Sequence, residues 1–185
     1  MKDSRIIELY LSRQERAIVE TALKYGKLCS YIALNILHCK EDSEECVNDT
    51  YLGAWNAIPP QKPNKFSAFI SKITRNLALK KYEYISADKR NPEIAVSLTE
   101  LEECVSGHES VENEIENRRI EKAISDFLWR QDTPKRTVFI RRYWYFEPID
   151  RICEHCGFTQ SKVTSMLYNT RQKLKQYLES EGIEL

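Results

Sequence analysis

EPIDRICEHCGFTQSKVTSMLYNTRQKLKQYLESEGI, residues 147–183, holds two helical signals separated by Gly157. Pro148 opens a short helix whose Ile149, Ile152, Cys153 and Cys156 recur at three- and four-residue steps. Gly157 permits a left-handed turn, and Thr159 is placed to cap the next helix. In that second helix Val163, Leu167, Thr170, Leu174 and Tyr177 or Leu178 form an inward stripe. Gln160, Ser161, Lys162, Thr164, Ser165, Tyr168, Asn169 and Arg171 are left outside. Helix, short turn, helix is the helix-turn-helix arrangement, and amides, hydroxyls and cations are the groups that reach base edges and phosphates in a major groove. From Thr159 to Tyr177 no residue is acidic. A helix that lies against a polyanion carries no carboxylate on its outer face, because each phosphate it meets would repel it.

The remainder of the chain reads as helical too. Its 185 residues suffice for one ordinary domain or two small ones, and 42% hydrophobic with 30% charged residues is a globular composition. Five glycines and six prolines argue against an all-β fold. The net charge of zero conceals a segregation. Gln61–Arg90 has eight basic residues against two acidic, Glu93–Asp126 has ten acidic against three basic, and Arg130–Leu178 has ten basic against four acidic.

Residues 4–37 suggest two helices through Ile6, Ile7, Leu9, Tyr10, Ala17, Ile18, Leu28, Ile32, Leu34, Ile36 and Leu37. KEDSEECVNDTYLGAWNAIPP is a further helix, capped at Asp42 or Ser43 and stopped by Pro59-Pro60, with Val47, Tyr51, Leu52, Ala54, Trp55 and Ile58 on one side and Glu44, Glu45, Asn48 and Asp49 on the other. After the basic loop QKPNK, the helix from Phe66 sets Phe66, Phe69, Ile70, Ile73, Leu77 and Tyr84 opposite Lys72, Arg75, Asn76, Lys80 and Lys81. Weak periodicity, Asn91-Pro92 and Gly107 mark 87–111 as a flexible linker. Two more helices follow, one through Ile115, Ile120, Ala123, Ile124 and Phe127 or Leu128, the next with Pro134 in its first turn after Thr133. The expected fold is all-α: two small helical domains joined by the linker, the C-terminal one a helix-turn-helix.

The first twenty residues lack the uninterrupted apolar core of a signal peptide, and no run approaches the roughly 18 apolar residues of a membrane span. The expectation is a cytoplasmic protein with no direct membrane insertion, and hence reduced thiols at Cys29, Cys39, Cys46, Cys104, Cys153 and Cys156. Cys153, His155 and Cys156 would be a metal half-site only beside a second pair, and no second C-x-x-C occurs, so no metal is expected. With three histidines and no phosphate-cradling glycine loop, the chain offers no catalytic constellation and no cofactor site.

DSEECVNDTYLGAWNAI, FSAFISKITRNLALKKY and FIRRYWYFEPIDRICEHCGFTQSKVTSMLYNTRQKL together resemble, in order and spacing, a bacterial RNA polymerase sigma factor of the sigma-70 family, in its small extracytoplasmic-function group. The resemblance covers about residues 10–180. It implies region 2 over 1–86, a linker over 87–111 and region 4 over 112–185. It further implies that Asp42, Glu45, Asn48 and Asp49 dock on core RNA polymerase, and that Lys62, Lys65, Lys72, Arg75, Asn76 and Lys80 hold the melted minus-10 strand of promoter DNA. Gln160, Ser161, Lys162, Thr164, Ser165, Tyr168, Asn169 and Arg171 would then read the minus-35 duplex. The implied protein is not an enzyme, is monomeric when free of partners, and is held inactive by an anti-sigma factor. Its acidic segment from Glu93 to Asp126 would link the domains and mimic nucleic acid before DNA arrives. The competing assignment is a helix-turn-helix regulator that binds palindromic operators as a dimer without polymerase, with residues 1–90 as a dimerisation or sensing module. It leaves the acidic helix followed by a basic aromatic one without a role.

Overall fold

A computed structural model describes residues 1–85, 92–105 and 114–183, without the side chains of 103, 105 and 114–116. Every regular element among them is a helix: α1 (Asp3–Leu11), α2 (Arg16–Leu37), α3 (Lys40–Ala57), α4 (Phe66–Tyr84), α5 (Pro92–Val105), α6 (Glu114–Arg130), α7 (Thr133–Tyr143), α8 (Ile149–Cys156) and α9 (Gln160–Ser180). They form two compact units, 1–91 and 92–185. The all-α expectation with two helical parts is met.

In the first unit α2 is the central helix, packed by α1, α3 and α4. Its buried face is Ala17, Thr21, Tyr25, Cys29, Ile32, Ala33, Ile36 and Leu37. Leu34, expected on that face, is exposed, as are Val19 and Leu23. Small residues let the helices approach closely. A Cβ at Gly26 would stand 3.2 Å from the Tyr51 hydroxyl, and one at Gly53 3.1 Å from Ile73 Cγ2. Where α3 crosses α4, the buried Thr50 and Thr74 hydroxyls lie 2.8 Å and 3.0 Å from the carbonyls of Cys46 and Ile70, one turn back in their own helices. They are thereby satisfied without water. Tyr10, Tyr25 and Phe66 fill the end of the unit, with ring centroids 5.8 Å (Tyr10–Phe66) and 5.7 Å (Tyr25–Phe66) apart. Thr21 donates to the Ala17 carbonyl at 2.8 Å, so the Tyr10 hydroxyl, 2.9 Å away, donates to Thr21.

Two details of the sequence reading change here. α3 starts at Lys40 with Cys39 as its extended N-cap, ahead of the expected Asp42 or Ser43, and Ser43 Oγ donates back to the Cys39 carbonyl at 2.6 Å. Glu41 and Asp42 thus occupy the first turn, where the helix dipole favours them. α4 buries Phe66, Ile70, Ser71, Thr74, Ala78 and Tyr82, while Tyr84 is exposed. The inward face is therefore rotated from the most apolar stripe towards the small residues that fit against α3.

In the second unit α9 lies against α5, α6, α7 and α8. The shared core is Ile120, Phe127, Val138, Phe139, Ile152, Val163, Leu167, Leu174 and Leu178, among others. α5 occupies 92–105 of the stretch read as a linker over 87–111; 86–91 and 106–113, which include both expected domain boundaries, lie outside the described residues. Pro92 begins this helix, where its missing N–H costs nothing, so the proline that reads as a breaker is a first residue. α5 turns Ile94, Ser97 and Cys104 into the unit.

Between α7 and α8 the chain reverses through Phe146, a buried residue at φ 51°, and delivers Glu147 beneath α8. Its carboxylate, 1% exposed, accepts from Arg141 Nη1 at 3.0 and 2.9 Å and lies 2.9 Å from His155 Nδ1. A buried carboxylate needs such partners, and these come from the helices on either side of it. Glu147→Ala is expected to destabilise the second unit by about 2–3 kcal/mol, the scale of lost hydrogen bonds to a charged group. Chemical denaturation followed by circular dichroism checks this, with Glu147→Gln expected to lose less.

Candidate nucleic-acid interface

On α4 the side chains facing away from α2 and α3 form a polar row. Lys72, Asn76 and Lys80, one turn apart, are exposed, and so are Lys62 and Lys65 in the loop before the helix. Arg75, predicted with them, is different: it is half-buried, and desolvation lowers its pKa. The aliphatic stem of an arginine packs well, so at this position the guanidinium serves the interior more than the surface. At the same end of the unit, Arg13 donates from Nη1 to the Trp55 carbonyl at 2.7 Å and lies 5.2 Å from the centre of the Trp55 ring.

The acidic face of α3 stands where the sequence puts it. Glu44, Glu45, Asn48 and Asp49 are exposed and Asp42 is half-buried. Lys81 of α4, absent from the predicted sites, reaches across to this face, with Nζ 2.9 Å from Asp42 and 2.5 Å from Glu45. Those two carboxylates raise its pKa. Lys81 thus joins the acidic helix to the basic one.

In the second unit α8, a short turn and α9 follow one another. α8 ends at Gly157 in the left-handed region, φ 65°, whose N–H donates to the Cys153 carbonyl at 2.9 Å. Thr159 caps α9 by accepting from the Lys162 N–H at 3.3 Å. The inward stripe of α9 is Val163, Leu167, Thr170, Leu174 and Leu178, all buried. Gln160, Ser161, Lys162, Thr164, Ser165, Tyr168 and Asn169 are exposed together on the outer side. Lys162 Nζ lies 3.9 Å from the centre of the Phe158 ring, so the turn holds its own cation at the start of the face.

Arg171, the eighth predicted residue of this face, is turned inward. Its Nη1 lies 3.1 Å from Glu100 Oε2 of α5, and it donates to the Tyr143 hydroxyl of α7. Tyr143 in turn donates to Glu100 Oε2 at 2.8 Å. Burial disfavours the charge on Arg171, but Tyr143 and Glu100 outweigh it and its pKa is raised. Tyr143 was not legible as part of a site, whereas Glu100 was, as one of the acids of the segment expected to mimic nucleic acid.

Cys153 and Cys156 are half-buried against the core, and His155 points instead at Glu147. Among the described residues no three His, Cys, Asp or Glu side chains are grouped to hold a metal ion. Burial pushes the Cys46 thiol up to about 12 and raises that of Cys29, as for small apolar core residues. No helix among the described residues is long and apolar enough to cross a membrane.

Residues 22–86, from within α2 through α4, match the family model described as Sigma-70 region 2. The match supports a sigma-70 family sigma factor with a role in promoter recognition by RNA polymerase. No curated protein matches the chain.

The separation of the exposed lysines from the half-buried arginine is measurable. Lys72→Ala and Lys80→Ala are each expected to lower the salt slope of single-stranded DNA binding by about 0.7, one phosphate contact apiece. Arg75→Ala should act chiefly on thermal stability. Fluorescence anisotropy across a salt series, with a melting curve for each variant, checks both.

Proposed function

We propose, on the premise of that region 2 match, that the chain is a sigma factor of the small extracytoplasmic-function group. It binds core RNA polymerase and directs promoter recognition, DNA melting and initiation at a specific set of promoters. The observation that carries this is in α3 and α4: an exposed acidic face and an exposed row of Lys72, Asn76 and Lys80 on adjacent helices inside the matched segment. A protein that needs only duplex DNA has no use for the first of these faces. The acidic one suits a basic protein surface, and the other suits a nucleic-acid strand.

In this function Asp42, Glu45, Asn48 and Asp49 dock on the polymerase. Lys62, Lys65, Lys72, Asn76 and Lys80 track the unpaired minus-10 strand, and Arg75 supports that helix from within. Opening a base-pair step costs about 1.4 kcal/mol, and a captured base stacked on an aromatic ring gains about 1–3 kcal/mol. Capture of a few bases therefore offsets the opening of a short bubble, and no covalent chemistry is needed. The outer face of α9 contacts the minus-35 duplex, with Thr164, Ser165, Tyr168 and Asn169 towards base edges and Gln160, Ser161 and Lys162 towards bases or phosphates nearby. The protein acts in the cytoplasm, is monomeric when free, and is restrained by an anti-sigma factor.

Run-off transcription with purified core polymerase on a promoter library tests this. Added wild-type protein should yield promoter-specific transcripts. Asp49→Arg should reduce them by at least about tenfold through lost core binding, since like charges opposed at an interface cost several kcal/mol. Asn76→Ala should leave core binding intact and reduce open-complex formation. Absence of any protein-dependent transcript, beside tight duplex binding by the protein alone, would refute the assignment.

A further inference from the structure

The helix that the sequence presents as a linker ends up against the DNA-facing helix, and the manner of its attachment is informative. Among its described side chains α5 buries Ile94, Ser97 and Cys104, with Leu98 half-buried and Leu101 packed at the edge of the core. Of the three buried residues, serine and cysteine contribute little apolar area. Two carboxylates of α5 also pair with arginines of the unit. Glu93 Oε2 lies 3.4 Å from Nη1 of the buried Arg142, and one heptad later Glu100 Oε2 lies 3.1 Å from Arg171 Nη1.

The second of these contacts bears on the outer face of α9. Thr164, Tyr168 and Arg171 follow at four and then three residues, the spacing that aligns side chains along one side of a helix. A groove of about 370 Å³ is walled by Glu100 on one side and by Thr164, Ser165, Tyr168, Asn169 and Arg171 on the other. The Glu100 carboxylate in this groove is bound by a guanidinium and a tyrosine hydroxyl. Arginine side chains and tyrosine hydroxyls are among the groups that bind backbone phosphates in protein–DNA complexes. Glu100 thus presents its carboxylate to two groups of the kind that bind phosphate.

We propose that α5 is an internal competitor for the DNA-facing side of α9: Glu100 stands in for a backbone phosphate on Arg171 and Tyr143, and duplex DNA engages the full face only when Glu100 is displaced. The inference rests on α9 being the duplex-facing helix. It makes Arg171 a phosphate-binding residue that is masked in the free protein, and makes α5 a brake set by charge.

The test uses the full chain and a random-sequence 30-base-pair duplex, read by fluorescence anisotropy between low and physiological salt. Glu100→Gln keeps the size and the hydrogen bond to Tyr143 but removes the competing charge. It is expected to tighten duplex binding by about tenfold at low salt and to steepen the salt slope by about 0.9, one added phosphate contact. In the Arg171→Ala background the same substitution should gain nothing. A Glu100→Gln protein with unchanged or weaker affinity would overturn the proposal, because Glu100 would then be passive or a support for Arg171. A gain that persists without Arg171 would overturn it as well. Lys162→Ala separates the underlying assignment: weakened duplex binding there identifies α9 as the duplex face, while wild-type binding overturns both that assignment and the masking. Unchanged Glu100→Gln beside weakened Lys162→Ala overturns the masking alone.

Discussion

A carboxylate taken out of water inside a small helical unit must be given hydrogen-bond partners, and the second unit depends on which ones Glu147 receives. Arg141 approaches it from α7 and His155 from α8, so this buried anion ties together the two helices that precede α9. The chain has to enter the left-handed region at Phe146 to deliver it. That conformation is costly for an aromatic residue and holds only because the surrounding contacts overdetermine it. Ile152 then seals the angle between α8 and α9, and Gly157 and Thr159 set where the second helix begins. The direction in which Gln160 to Asn169 point follows from that sequence of constraints.

The first unit is fixed differently, by closeness instead of charge. Gly26, Gly53, Thr50 and Thr74 sit where α2, α3 and α4 cross, and their small volume lets the helices pack with hydroxyls bonded one turn back. Because the inner faces are made of small residues, larger apolar side chains such as Leu34 and Leu52 are left towards solvent. The same rotation that brings Thr74 inward carries Arg75 partly with it and leaves Lys72, Asn76 and Lys80 outside. Packing at the α3–α4 crossing therefore decides which cations reach the surface.

Local signals were legible in the sequence and tertiary ones were not. The turn between α8 and α9 could be read because a glycine and a threonine each satisfy a backbone requirement at their own position, as Gly157 and Thr159 do. The inward stripe of α9 could be read because its period is regular and its outer side carries no acid. α5 escaped because Asn91-Pro92 carries the same letters whether a proline stops one helix or starts another, and because Ser97 and Cys104 do not register as apolar. Arg75 and Arg171 were placed correctly on their helices and wrongly in direction. A long flexible cation goes to whatever anion or cavity the fold supplies, and for Arg171 that was Glu100, 71 positions away in sequence.

The segregation of charge along a chain of zero net charge also governs how the molecule meets a polyanion. Seen from afar its basic and acidic blocks cancel, so there is no long-range field to steer it, and at physiological ionic strength any remaining field fades within a Debye length of about 8 Å. Attraction begins only when a basic face is already almost in contact. Net charge alone therefore draws such a molecule only weakly to a generic polyanionic matrix.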